Sequence, residues 1–221
     1  MIDEFFCRRE DKVGYSFDPH YSPEDAIVEK NHYNPTADNL TVIFPPWHGG
    51  GKFLSLLSSR IARRGESVLS YNLHDQIVEP NIERVQQSFR SIQNTVENDL
   101  LQAVDRYGYE RIRLLGMSLG NVTLALTART FSAFDEALMV APGSNLALSV
   151  WNGIRTQQIR RLFEEQGIGE LDINEAWARL APISHVNAFS GKRVKVLTSN
   201  KDSVIPTEYQ HDYSFASAAE T

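Results

Sequence analysis

One serine in this chain stands where a nucleophile could act. Gly116-Met117-Ser118-Leu119-Gly120 follows the aliphatic run Arg111-Ile112-Arg113-Leu114-Leu115 and opens a helix-like stretch. A serine at the tip of a sharp strand-to-helix turn takes a strained backbone conformation, and small residues two before and two after let the chain pass close to itself. Such a turn lifts Oγ above the sheet at a helix N-terminus. A serine serving only as an N-cap needs neither glycine. Ser118 is therefore the candidate nucleophile. Its hydroxyl is a poor nucleophile until an imidazole takes its proton, and the imidazole needs a carboxylate to hold its tautomer and stabilise its charged form.

The elements that must position such a serine alternate from Leu40 onward. Thr41-Val42-Ile43-Phe44 reads as a buried strand, and Lys52 to Arg64 as a helix with Phe53, Leu56, Leu57 and Ile61 at helical spacing, closed by Gly65. Ser67 to Tyr71 is a second strand. Asn81 to Tyr107 spaces Ile82, Val85, Phe89, Ile92, Val96, Leu100 and Val104 three or four residues apart, an amphipathic helix ending at Gly108. The strand before Ser118 and its helix follow, then a strand over Glu136 to Val140. Residues 143 to 180 hold no strand, but helices over Ile154 to Gln166 and Asn174 to Leu180. Lys192 to Thr198 restores a strand, and Thr207 onward reads as helical. Strands separated by helices of this length require right-handed parallel crossovers. The expected fold is α/β: an open, mostly parallel twisted sheet with helices on both faces, one domain over 1–221, with a short helical lid insertion over 143–180. Residues 1 to 39 are the least readable, with short strand-like runs at Phe5-Phe6-Cys7 and Val13 to Phe17.

Composition narrows the partners. The 221 residues carry 22 Lys and Arg against 28 Asp and Glu, a net charge of -6, so the basic footprint of a nucleic-acid binder is absent. Cys7 is the only cysteine, which excludes an intrachain disulfide and a multi-cysteine metal site and fits a reducing compartment. The charged N-terminus has no sustained apolar stretch and reads as neither signal peptide nor membrane span; a cytoplasmic location is the expectation. The acids are dispersed and no His-x-x-x-His or His-x-x-Glu-His pattern occurs, so no metal is expected. No other cofactor is expected either. Gly49-Gly50-Gly51-Lys52 fails as a phosphate loop, because Pro46 sits where the first glycine is needed and Phe53 where the hydroxyl is needed.

In open α/β sheets, ligands bind beyond the carboxyl ends of the strands. Three ends carry reactive or turn-forming residues here. Phe44 leads into Pro45-Pro46-Trp47-His48-Gly49-Gly50-Gly51, Leu115 leads to Ser118, and Thr198 leads into Ser199-Asn200-Lys201-Asp202-Ser203-Val204-Ile205-Pro206. In this order and spacing the chain, over roughly residues 40 to 215, resembles the α/β-hydrolase family of serine hydrolases. The resemblance implies Ser118 as nucleophile on a nucleophile elbow, Asp202 as the carboxylate that orients a histidine, and the Leu119 backbone N–H as one oxyanion donor. The second donor has two registers. His48-Gly49-Gly50-Gly51 reads as an HGGG-type motif; alternatively Pro45-Pro46 replaces the family's His-Gly, and Trp47 or His48 donates, with Trp47 nearest the strand end.

The pattern departs from the family at the base. No histidine follows Asp202 in the expected loop. His211 falls within the presumed terminal helix, and His185 and His74 read as structural. The final strand and catalytic-histidine loop are expected to be absent, as in a fragment of a longer hydrolase, leaving the Val194 to Leu197 strand as an edge available for self-association. The insertion is apolar and carries two tryptophans, which favours a small acyl or otherwise apolar substrate met by Trp151, Ile154 and Trp177. The expected activity is hydrolysis of an ester or thioester through an acyl-enzyme. The alternatives are an acyltransferase using the same serine and a catalytically incomplete binding module.

Overall fold

A computed structural model describes residues 18, 20–48, 51–198, 205 and 209–210. Its framework is a six-stranded sheet of β1 (Ile27–Tyr33), β2 (Asn39–Phe44), β3 (Ser67–Leu73), β4 (Arg111–Met117), β5 (Glu136–Val140) and β6 (Arg193–Leu197). The spatial order is β1-β3-β2-β4-β5-β6. All neighbours pair in parallel except β1, which runs antiparallel to β3 with a register shift between Ile27 and Glu29. The sheet is thus mostly parallel, as the alternation predicts. β1 was not anticipated, and its composition explains why. Ile-Val-Glu-Lys-Asn-His-Tyr occupies a sheet edge, buries no residue fully, and so carries no continuous apolar run.

Helices lie on both faces. On one, α1 (Lys52–Ala62) packs Leu54, with Phe53, Leu57 and Ile61 beside it, on Ile43, Val68, Leu115 and Met117. On the other, α2 (Ile82–Tyr107) and α3 (Gly120–Thr130) cover Leu40, Val42, Phe44, Ile112, Leu114, Ala137 and Met139. The period-two alternation of β4 separates these sets, because successive side chains point to opposite faces. α2 begins and ends where the sequence places it. The Asn81 side chain accepts from the Arg84 N–H at 3.0 Å, and Gly108 leaves the helix at φ 63° with its N–H on the Val104 carbonyl.

The 143–180 segment is more broken than its sequence pattern. It contains α4 (Leu146–Asn152), capped by Asn145, a 3-10 turn over Ile154–Thr156, α5 (Gln157–Glu165) and α6 (Glu170–Ala176). The expected helix over Ile154 to Gln166 therefore begins with a 3-10 turn, and the one expected over Asn174 to Leu180 lies largely upstream, at α6. α4 has only seven residues, too short to impose a helical repeat on the sequence. Among the described residues, β6 pairs only with β5, and its side chains alternate between exposed and half-buried. Also among them, no helix is long and apolar enough to cross a membrane. The runs at Phe5-Phe6-Cys7 and Val13 to Phe17 lie outside the described residues, as does all of the expected C-terminal helix but Tyr209 and Gln210.

Two imidazoles tie this fold to pH, His185 from a buried position and His32 from an exposed one on β1 where neighbouring groups still partly desolvate it. His32 Nε2 sits 3.0 Å from Ser67 Oγ and 2.9 Å from Tyr109 Oη, and this desolvation holds its pKa below the ordinary value against the pull of Asp99. Burial likewise depresses His185, whose Nε2 donates to the Arg179 carbonyl at 2.8 Å. Both are neutral in the fold where the unfolded chain is already protonated. Their contribution to stability is complete above the ordinary imidazole value of 6.5 and is lost as pH falls toward the depressed folded values. The thermal midpoint should fall from about pH 7 to about pH 5. A His32→Asn, His185→Asn variant should flatten that slope; an unchanged slope would contradict the assignment.

Candidate active site

The turn after β4 has the strain that its glycines foreshadow. Ser118 has φ +50°, in the left-handed region, and its N–H donates to the Val140 carbonyl at 2.9 Å. Its carbonyl accepts from the Asn121 N–H at 3.0 Å and from Asn121 Nδ2 at 2.9 Å. A non-glycine residue keeps such a backbone only where its surroundings over-determine it, and here three hydrogen bonds do so. Both glycines are required by close approach. A Cβ on Gly120 would lie 2.2 Å from the Phe44 carbonyl oxygen and 2.6 Å from that of Pro45, and one on Gly116 would lie 2.6 Å from Asn121 Oδ1. Ser118 is half-buried; Leu119 follows it as the N-cap of α3, so the Leu119 N–H is among the helix's first, outward-directed donors.

Asn121 is the residue that sequence reasoning missed. Its side chain is buried, and Nδ2 also donates to the Val140 carbonyl at 3.0 Å, stitching the turn to the end of β5. The available signal is a lone amide at the head of the apolar stretch Val122 to Ala128. Asn121→Ala should destabilise the protein by about 1–3 kcal/mol, the loss of two side-chain hydrogen bonds, although the Ser118 and Val140 carbonyls each keep a backbone N–H. It should also slow any reaction at Ser118. Urea denaturation with a parallel rate measurement checks both; a variant as stable and as fast as the parent would remove Asn121 from this role.

Beside Ser118 lies a cavity of about 450 Å³ including its open mouth. Its walls are Trp47, Val78, Leu119, Val122, Gly143, Leu146, Ser149, Val150, Thr156 and Ile205. None is charged. The two hydroxyls are already used, Ser149 Oγ donating to the Asn145 carbonyl at 2.7 Å and Thr156 Oγ1 to Gly153 at 2.9 Å. An apolar, uncharged group is what such a surface accepts.

The 143–180 segment contributes to this wall through Leu146, Ser149, Val150 and Thr156 rather than the three residues expected from sequence. Trp177 is fully buried, its indole N–H on the Ile82 carbonyl at 3.3 Å and its ring edge-on to Phe163. Trp151 packs against the main core from a half-buried position, and Ile154 is 65% exposed. Helical spacing alone does not tell which side of a short helix faces the sheet and which the cavity.

Of the other expected residues, Trp47 lines the cavity together with Ser118 and Leu119. His48 follows at φ +55°, its ring stacked on Trp47 at 4.6 Å between centroids and its Nδ1 2.8 Å from Asp75 Oδ1. Asp202, Gly49, Gly50 and His211 lie outside the described residues. His74 caps the 3-10 turn Asp75–Ile77 and stacks on Tyr21, and His185 is bonded within its own segment, so both have structural partners. Among the described residues, no cluster of three His, Cys, Asp or Glu is arranged to hold a metal ion.

No protein-family model matches the chain, and comparison with curated proteins gives no match. Solved structures do match. An esterase from Pyrococcus furiosus superposes with a TM-score of 0.60 at 10% identity, over 94% of this chain and 84% of that one. A lipase/esterase from Lactobacillus plantarum gives 0.56 at 15% identity, over 83% and 73%. An acylaminoacyl peptidase from Pyrococcus horikoshii gives 0.57 at 14% identity, over 83% of this chain but 31% of the peptidase. The fold is that of the α/β-hydrolases. At these identities the likeness establishes the fold and leaves the chemistry to the site itself.

Proposed function

We propose that the protein is a serine hydrolase that cleaves an ester or thioester of an apolar acyl group through an acyl-enzyme on Ser118. The observation that carries this reading is the strained Ser118 turn opening onto an uncharged cavity. In the proposed cycle Ser118 Oγ adds to the acyl carbonyl, the Leu119 N–H and a donor from the Trp47–His48 loop receive the developing oxyanion, and the alcohol or thiol leaves with a proton. Water then repeats the attack and releases the acid. Each oxyanion donor is worth about 3 kcal/mol in the transition state. Asp202 is proposed as the carboxylate of the relay, and the 143–180 insertion as a lid whose inner surface is α4. Self-association would use the outer edge of β6, where exposed Arg193 and Lys195 oppose close pairing of two copies.

A second reading, a module that binds acyl groups without turning them over, draws on one observation. Among the described residues no histidine lines the cavity. Initial rates with p-nitrophenyl acetate, butyrate and octanoate and an acyl thioester separate the two, and added alcohol acceptors report acyl transfer. Turnover that exceeds the uncatalysed rate and is lost with Ser118 supports the enzyme. Saturable binding with no turnover favours the module.

A further inference from the structure

Among the described residues, Asp75 grips the loop that follows β2 from outside. Asp75, at the start of the 3-10 turn after β3, accepts at two points: its carboxylate from His48 Nδ1 at 2.8 Å, and its backbone carbonyl from the Trp47 indole N–H at 2.7 Å. The two rings it engages are stacked on each other, interplanar angle 24°. Trp47 shares the cavity wall with Ser118, so whatever fixes the pair also fixes that wall.

We propose that Asp75 is a positioning residue that acts through His48 to hold the Trp47–His48 loop in the conformation required at Ser118. His48 has a left-handed backbone, which a non-glycine residue retains only under external restraint, and its bond to Asp75 is such a restraint. The bond also holds the Asp75 carboxyl below its usual pKa, with burial acting against it and His74 adding to it. The pair is solvent-exposed, with side chains 39% and 64% accessible, so it contributes little to global folding. What it sets is the balance between loop conformations, a local equilibrium that a weak contact shifts by a small factor. The Asp75 backbone anchor stays in every side-chain variant, so substitutions isolate the carboxylate.

This inference rests on Ser118 being the nucleophile, and the experiment keeps the two apart. Asp75→Ala should lower kcat for p-nitrophenyl butyrate by about threefold to fivefold with KM within about twofold, the size a weak exposed pair can exert on a loop equilibrium. The rate at which a fluorophosphonate labels Ser118 should fall by the same factor. Asp75→Asn, whose amide oxygen still accepts from His48, should remain within about twofold of the parent. His48→Ala should reproduce the loss, and the double variant should be no slower than either single one, because both remove the same restraint. A change confined to the thermal midpoint, Asp75→Asn as slow as Asp75→Ala, or losses that multiply in the double variant would overturn the proposal. If Ser118 is labelled in the parent and labelled equally fast in Asp75→Ala, this inference alone fails. A parent in which Ser118 takes no label defeats the hydrolase reading and this one with it.

Discussion

Ser118→Ala should abolish ester hydrolysis while leaving the fold intact. The expected loss is at least about 10⁴-fold in kcat, since removing a nucleophile from a cooperative catalytic group leaves only the rate that oxyanion donors and binding can supply. The substitution deletes one oxygen from a half-buried side chain, and the backbone bonds of residue 118 to Val140 and Asn121 remain. Alanine does have to accept the left-handed φ of +50°, so a modest fall in stability is expected alongside the catalytic loss. Circular dichroism and a thermal midpoint check the fold. Ester turnover that survives the substitution would place the reaction elsewhere.

Gly120→Ala should have the largest effect on stability, and it runs against helix propensity. At the first position of α3, alanine would ordinarily gain about 0.5–1 kcal/mol over glycine. Here its Cβ would sit 2.2 Å from the Phe44 carbonyl oxygen, 2.6 Å from that of Pro45 and 2.7 Å from the Phe44 carbonyl carbon. All three are backbone atoms at the end of β2, which is paired on both sides by β3 and β4 and cannot move aside cheaply. The clash wins: a loss of about 4 kcal/mol or more is expected, at the extreme of single substitutions. Gly116→Ala should cost less, because its nearest obstacle is the Asn121 side chain rather than main chain. A urea midpoint for Gly120→Ala within error of the parent would show that this approach is not tight. Gly120 also presses the serine turn against the residues that lead into the Trp47–His48 loop, so one glycine sets the spacing between the two turns that the proposed mechanism uses.

The same glycine shows why so much of the centre was legible. A Gly-x-Ser-x-Gly run after an aliphatic strand reports a steric necessity, and β2 and β4, buried on both faces over most of their length, write nearly continuous apolar runs into the chain. α2 was legible to its end residues because both caps are local chemistry, Asn81 and Gly108. What escaped is decided by tertiary contacts. β1 is a strand because β3 offers it an edge, with Glu29, Lys30 and Asn31 pointing nowhere that its sequence reveals. Trp177 reads from sequence as a cavity residue because it is large, aromatic and within the 143–180 segment. Its indole instead fills the space against Phe163, and smaller neighbours, Leu146 and Val150, meet the cavity. Asn121 holds the serine's own backbone and Asp75 the neighbouring Trp47–His48 pair, and no local spacing announces either contact.

The central claim is that Ser118 Oγ is a nucleophile. Its most direct test is to treat the intact protein with a fluorophosphonate, measure the mass of the whole chain, and map the adduct by peptide sequencing. The account predicts a single adduct on Ser118, formed faster than on a free serine and prevented by prior unfolding. An unmodified Ser118, or an adduct spread over surface hydroxyls at the same rate before and after unfolding, would contradict it.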